Sequence, residues 1–271
     1  MLTSAPGNQA SSFLSEKQQA FFLKNGFIQL KGFVSREQVA LFLQELATVE
    51  AQWLSQKREK VNGVPITYGH DETGRTIVQR YAFASLFSPL LSEFLHSERL
   101  QALTHLLAPY EGRIGEDEKD GLVVNHYVRT PESNLARMGW HTDSPRDLFL
   151  GQRIKPMLNV GLHLDDCPQT NGGLRVLPGT HKQSVFMMLF RKRQFIDHRP
   201  DPREVGFDIE AGDLTVHDGR IWHRVEQSPH LDALSRRRVM YIPVVTGDYK
   251  PKQATSKTPF YHQIGRKILT R

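Results

Sequence analysis

From residue 121 onward the chain is cut into short apolar runs separated by Gly, Pro, Asn and Asp, and this rhythm limits the possible folds more than any other feature. The runs fall at 122–128, 157–164, 173–177, 213–217 and 239–245. Short apolar runs bounded by turn formers read as strands, and several in series predict an all-β barrel or a double-sheet jelly roll.

The first hundred residues have a different texture. Ser15 precedes an apolar-periodic stretch (Ala20, Phe21, Leu23) that ends at Asn25 and Gly26, a helix stop. Phe27 to Leu30 reads as a short strand. Ser35, Arg36, Glu37 and Gln38 form a capping box ahead of Val39, Phe42, Leu43 and Leu46, which lie on one helical face. Residues 57–80, polar and carrying Gly63, Gly69 and Gly74, read as a long loop or irregular hairpin. Helical spacing returns over 86–107 until Pro109 stops it, and 111–120 is acidic and turn-like. The expected organisation is a mobile tail at 1–14 and a single domain over 15–271. Within that domain a mostly helical cover (15–110) precedes a jelly-roll core (121–248).

Composition excludes several alternatives. With Cys167 as the one cysteine, no intramolecular disulfide can form, which suits a reducing compartment. No apolar run reaches the roughly 18 residues that span a bilayer, and the first residues lack a signal-peptide pattern, so the expectation is a cytoplasmic protein. The net charge of +6 is dispersed apart from Arg191–Lys192–Arg193 and Arg236–Arg237–Arg238. Neither run carries interleaved aromatics, so no nucleic-acid partner is expected. Oligomeric state is not legible.

The strongest local motif is Trp140-His141-Thr142-Asp143. Residues two apart on a strand point the same way, so His141 and Asp143 can offer an imidazole and a carboxylate to one divalent metal. A distant histidine would complete a facial triad with open positions for ligands, and His223 follows a strand-like run and a turn at Asp218-Gly219. An HxD tripeptide alone is weak in a chain of 12 histidines, and a half-buried core histidine is the plain alternative for His223. His181, in the Pro178-Gly179-Thr180-His181 turn, reads as structural. His163 and His217 flank core strands and are not taken as ligands.

The surrounding residues add a resemblance. Leu164-Asp165-Asp166, Asn171-Gly172-Gly173-Leu174, Val176-Leu177-Pro178-Gly179-Thr180-His181, Gly212-Asp213 and the arginines at 236–238 stand in order around the motif. Phe22 to Gly26 and Gly32-Phe33-Val34 precede it. Over about 15–245 the chain resembles the phytanoyl-CoA hydroxylase-like family of iron(II)/2-oxoglutarate dioxygenases. The resemblance implies a double-stranded β-helix (jelly roll, cupin-like) core and Fe(II) on His141, Asp143 and His223. It also implies 2-oxoglutarate and O2 as cosubstrates and hydroxylation of an unactivated C–H bond with release of succinate and CO2. A carboxylate at Asp143 favours hydroxylation over halogenation.

An arginine is implied for the distal carboxylate of 2-oxoglutarate, because its planar fork binds a carboxylate at two points. The family pattern places it on Arg237; strand alternation puts Arg236 and Arg238 on the other face, and a one-residue slip would exchange them. Asn125 and Tyr127 are candidates for the other end of 2-oxoglutarate, with ordinary sheet residues as the competing account. Thr142, Gly161 and Val225 depart from the family's frequent residues, which puts pocket contacts beyond the arginine in doubt. Substrate specificity is expected in 57–80 and 185–206. In the latter, Phe186 to Phe190 beside basic residues would suit a small molecule with an anionic group, or a lid or dimer contact. The rival readings are a non-catalytic β-barrel binding protein and a cupin-type metalloenzyme without 2-oxoglutarate.

Overall fold

A computed structural model describes residues 13–133, 135–149 and 151–259. The tail expected at 1–14 therefore lies, apart from Phe13 and Leu14, outside the described residues. α1 (Glu16–Asn25), β1 (Phe27–Leu30) and α2 (Arg36–Ser55) come first. Ser15 and Ser35 cap the two helices, and Gly26 ends the first in the left-handed region at φ 81°. Two hairpins follow: β2 (Lys60–Val61) with β3 (Val64–Pro65), and β4 (Thr67–His70) with β5 (Thr76–Tyr81).

Of the two alternatives for 57–80, the hairpin is what forms, as two short hairpins, and β4 and β5 extend the main sheet beside the helices. The helical spacing over 86–107 is broken into α3 (Pro89–Leu95), α4 (Glu98–Gln101) and flanking 3₁₀ turns. The break has a local cause, since Ser88 caps α3 and Ser97 precedes α4, so each short apolar run starts its own helix.

The remaining elements are β6 (Gly112–Ile114), β7 (Val123–Arg129), β8 (Met138–His141), α5 (Arg146–Phe149), β9 (Met157–His163), β10 (Gly173–Val176) and α6 (Val185–Phe190). β11 (Val205–Gly206), β12 (Leu214–Asp218), β13 (His223–Glu226) and β14 (Asp232–Thr246) complete the described chain. The large sheet runs β1-β12-β9-β14-β7-β5-β4, with β6 also on β14; the small one runs β11-β10-β13-β8. Every pairing is antiparallel. This is the jelly roll that the spacing of the apolar runs predicts.

The large sheet sorts its side chains with period two. Val124, Leu158, Val160, Leu162, Leu214, Val216, Met240, Ile242 and Val244 join Phe42, Leu46, Trp53, Leu91 and Phe94 of the helices in one core. Each fully buried side chain of this kind contributes roughly 1.5–3 kcal/mol. The alternate residues, among them Asn125, Tyr127, Asn159, Gly161, Thr215, His217, Arg237 and Tyr241, lie on the other face, toward the small sheet. Among the described residues no helix is long and apolar enough to cross a membrane.

Candidate metal and cosubstrate site

β8 and β13 bring two histidines together: His223 pairs with His141 across the strands, ring centroids 4.0 Å apart. The pairing then slips, so that Val225 faces Met138 and β8 carries one extra residue in a bulge at Gly139–Trp140. Such a bulge twists a strand and re-aims its next side chain. Asp143 follows just past the strand end and is held by its backbone, Asp143 N and Ser144 N both donating to Gly219 O at 2.8 and 3.0 Å. One ligand atom from each of His141, Asp143 and His223 lies within 4.8 Å of the others. The facial grouping expected from HxD and a distal histidine is therefore present.

The chemistry of the donors fits a divalent cation. His141 Nδ1 lies 2.8 Å from Gly139 O and His223 Nδ1 lies 3.1 Å from Ile221 O. A carbonyl only accepts, so both Nδ1 atoms carry the proton and both Nε2 atoms keep a free lone pair. Burial pushes the pKa of His141 down and that of His223 well down, the latter helped by His141 and His217, so the imidazoles stay neutral. Burial opposes ionisation of Asp143, but His223, His217 and His141 outweigh it and hold the carboxyl well below the usual range. Neutral imidazoles and an ionised carboxylate are the protonation states that metal binding needs.

The three consecutive arginines separate cleanly. Arg236 bonds to Glu72, and Arg238 forks onto Asp165 at 2.9 and 2.6 Å. Arg237 is buried at 4% exposure, and its guanidinium donates to two carbonyls, Glu226 O at 2.8 Å and Ala136 O at 3.2 Å. Its Nε has no hydrogen-bond partner among the described residues. Burial pulls its pKa down, a sign that no carboxylate answers the charge. The guanidinium faces a narrow cavity shared with Tyr127, Cys167, Val225, Val239 and Tyr241. Val225 connects this cavity to the metal triad, being two residues from His223 on β13. Asp165 also lines this cavity but is engaged by Arg238, so Arg237 remains a buried cation beside an open space, as an anionic ligand requires.

Asn125 and Tyr127 lie on the same face, opposite Val239 and Arg237 in register. Asn125 Nδ2 donates to Tyr127 Oη at 2.9 Å, and Asn125 Oδ1 is buried without a partner. At Gly161 an added Cβ would meet Tyr241 Cε1 at 3.3 Å and Thr215 Oγ1 at 3.1 Å. The space of the family's aromatic at this position is thus taken by Tyr241, the cross-strand neighbour. Thr142, between the two ligands, exchanges hydrogen bonds with Gln194: its N donates to Oε1 at 3.1 Å, and Nε2 donates to its Oγ1 at 3.3 Å.

Four residues lie beside the triad, of which the sequence reading singled out His217 alone, as a core-strand residue and not a ligand. Phe195 stacks on the His141 ring at 4.5 Å, and Gln194 belongs to the same segment. This segment pairs with β8 by its backbone: Trp140 N donates to Asp197 O at 2.8 Å and Phe195 N to Trp140 O at 2.7 Å. Gly139 permits the approach, since a Cβ there would sit 2.4 Å from Phe195 O. Asn159 donates from Nδ2 to Asp143 Oδ2 at 3.1 Å, and His217 Nε2 is 3.5 Å from the same oxygen. The apolar segment at 185–206 carried a hint of the lid; nothing local flags Asn159. His163 bonds Thr215 Oγ1 at 3.0 Å, and His181 packs on Gly26 and faces Leu23 O, so neither belongs to the triad.

The phytanoyl-CoA dioxygenase (PhyH) family profile matches residues 22–230. The chain is 25% identical over 178 residues to a probable alpha-ketoglutarate-dependent hypophosphite dioxygenase of Stutzerimonas stutzeri, covering 63% of this chain and 54% of that protein. It is 24% identical over 250 residues to the multifunctional dioxygenase prhA of Penicillium brasilianum, covering 88% and 74%. The matched stretch thus spans only about half of the first relative. Among solved structures, iron-bound EctD from S. alaskensis superposes with a TM-score of 0.66 at 15% identity, over 93% of this chain and 84% of that one. That likeness concerns the fold.

Proposed function

Because the chain belongs to the phytanoyl-CoA dioxygenase family, we propose that it is an Fe(II)- and 2-oxoglutarate-dependent dioxygenase that hydroxylates an unactivated C–H bond of a small molecule, releasing succinate and CO2. The observation that carries this reading is the buried Arg237, bonded to backbone carbonyls, in a cavity whose wall includes Val225, two residues along β13 from His223 of the His141–Asp143–His223 cluster. A ligand-binding barrel needs no such triad, and a cupin-type metalloenzyme without 2-oxoglutarate has no use for the arginine.

Bound iron supplies the redox chemistry that activates dioxygen. His141 and His223 offer their Nε2 lone pairs to it, and Asp143 offers its carboxylate. Arg237 pairs with the distal carboxylate of 2-oxoglutarate, while Tyr127, Val225 and Val239 wall the cosubstrate from water. Tyr127 supplies a further polar contact in the same cavity, and Asn125 beside it, bonded to its hydroxyl, supplies another. Phe195, partly exposed beside His141, forms a wall for the substrate. The N-terminal helices and hairpins back the large sheet, so that 15–271 works as one catalytic unit, on our reading in the cytoplasm.

The test is anaerobic calorimetry of 2-oxoglutarate binding to Fe(II)-loaded protein. Binding that requires the metal and weakens sharply in Arg237→Ala supports the reading; binding indifferent to both removes it.

A further inference from the structure

His217 lies on the inner face of β12 at 1% exposure, and neither ring nitrogen has a hydrogen-bond partner among the described residues. A buried imidazole left in that state is costly unless a polar group beside it engages the ring. The group at hand is Asp143, whose Oδ2 is 3.5 Å from His217 Nε2. The His217 ring also lies 4.3 Å from that of His223.

The same carboxylate oxygen accepts from Asn159 Nδ2 at 3.1 Å. Asn159 and His217 are direct cross-strand partners on β9 and β12, so the large sheet presents them as a pair to the small sheet's metal triad. Asp143 Oδ1 lies 4.0 Å from His141 Nε2, and Oδ2 lies 3.8 Å from His223 Nε2. His217 is outside the group of residues whose ligand atoms gather within 4.8 Å. It therefore has the place of a partner to a ligand and not of a ligand.

We propose that His217 and Asn159 are positioning residues that hold Asp143 through Oδ2 and so fix its carboxylate beside His141 and His223, where a metal would be held. The proposal rests on the metal-binding reading of His141, Asp143 and His223. Its physical basis is general. Outer partners fix the orientation of a ligand, and their loss commonly weakens metal binding about 10–100-fold. His217 supplies the Nε2–H donor, which leaves its Nδ1 as an acceptor. Asn159 supplies a second donor from a half-buried position.

The experiment titrates Co(II) into the full-length chain and follows its visible absorption, alongside thermal unfolding of the metal-free protein. Wild type is compared with His217→Phe, His217→Gln, Asn159→Leu and, as a control, His141→Ala. The proposal predicts Co(II) binding weakened about 10–100-fold and an altered spectrum in His217→Phe. His217→Gln, whose amide nitrogen reaches the place of Nε2, recovers most of both. Asn159→Leu shifts the spectrum in the same sense, and it decides the question if His217→Phe fails to fold. Wild-type affinity and spectrum in both His217→Phe and Asn159→Leu would overturn the proposal and leave the triad standing. Absence of Co(II) binding by wild type, or wild-type binding in His141→Ala, would instead overturn the metal reading itself.

Discussion

His141 and His223 stand opposite each other across β8 and β13, with ring centroids 4.0 Å apart and both Nδ1 atoms turned to backbone carbonyls. The carbonyls set the tautomer that frees Nε2 for a metal. His141→Ala or His223→Ala is therefore expected to weaken Fe(II) or Co(II) binding by more than about 100-fold, beyond what loss of an outer partner costs. Equilibrium dialysis measures this. An affinity within a few fold of wild type would show that the cluster is an ordinary buried polar group.

Arg237 and Arg238, adjacent in sequence, should give opposite phenotypes. Arg237 lacks a carboxylate, so Arg237→Ala is expected to raise the KM for 2-oxoglutarate about 10–100-fold with little change in unfolding temperature. Arg238 is forked onto Asp165, and Arg238→Ala leaves that half-buried carboxylate unanswered, costing about 1–3 kcal/mol of stability. Kinetics and chemical denaturation of both variants separate the roles. Equal effects on KM would mean that the strand register at 236–238 is misread.

The backbone pairing of the 194–197 segment with β8 depends on Gly139. A Cβ there would sit 2.4 Å from Phe195 O and 2.7 Å from Phe195 C, both backbone atoms that cannot turn aside. Gly139→Ala should release the segment and cost about 1–3 kcal/mol. Trypsin provides the readout, because Arg191, Lys192 and Arg193 lie at the start of the segment. Faster cleavage there in the variant is expected, and unchanged cleavage would mean that the segment is not held through β8.

Burial also sets a pH dependence. The pKa of His126 falls to about 3, through burial and then Arg238 and Arg236, and that of His163 falls to about 4, chiefly through burial. Both folded values are depressed, so the fold favours the neutral rings while the unfolded chain takes up protons near pH 6.5. Their contribution is full above that pH and is lost as pH falls from about 6.5 toward 4 and 3, at roughly 2–3 kcal/mol each by pH 4.5. Denaturation at several pH values should show stability falling over this window, less steeply in His126→Leu. A parallel slope in that variant would remove His126 as a cause.

Much of the fold was legible because each strand carries its own apolar run and turn residues. The grouping of His141, Asp143 and His223 was legible through the HxD spacing taken together with the family resemblance, since the spacing alone does not single out His223. The choice among three arginines followed from the family pattern, while strand alternation only separated Arg237, on the face of Val239 and Tyr241, from its two neighbours. What escaped depends on register between distant strands. Asn159 meets Asp143 only because β9 pairs with β12 and the two sheets face each other. The filling of the Gly161 space by Tyr241 needs the β9–β14 register in the same way. The helical spacing over 86–107 did not show where the segment divides, which depends on Ser88 capping α3 and on Ser97 preceding α4.

The central claim is that the triad and Arg237 together run a reaction consuming 2-oxoglutarate and oxygen. Its most direct measurement is succinate formed from 2-oxoglutarate when the anaerobically iron-loaded protein is exposed to oxygen, with His141→Ala and Arg237→Ala in parallel. The account predicts oxygen-dependent succinate from wild type, none above background from His141→Ala, and recovery of Arg237→Ala at high 2-oxoglutarate. No succinate from iron-loaded wild type across a panel of small acids, or equal yields from His141→Ala, would contradict it.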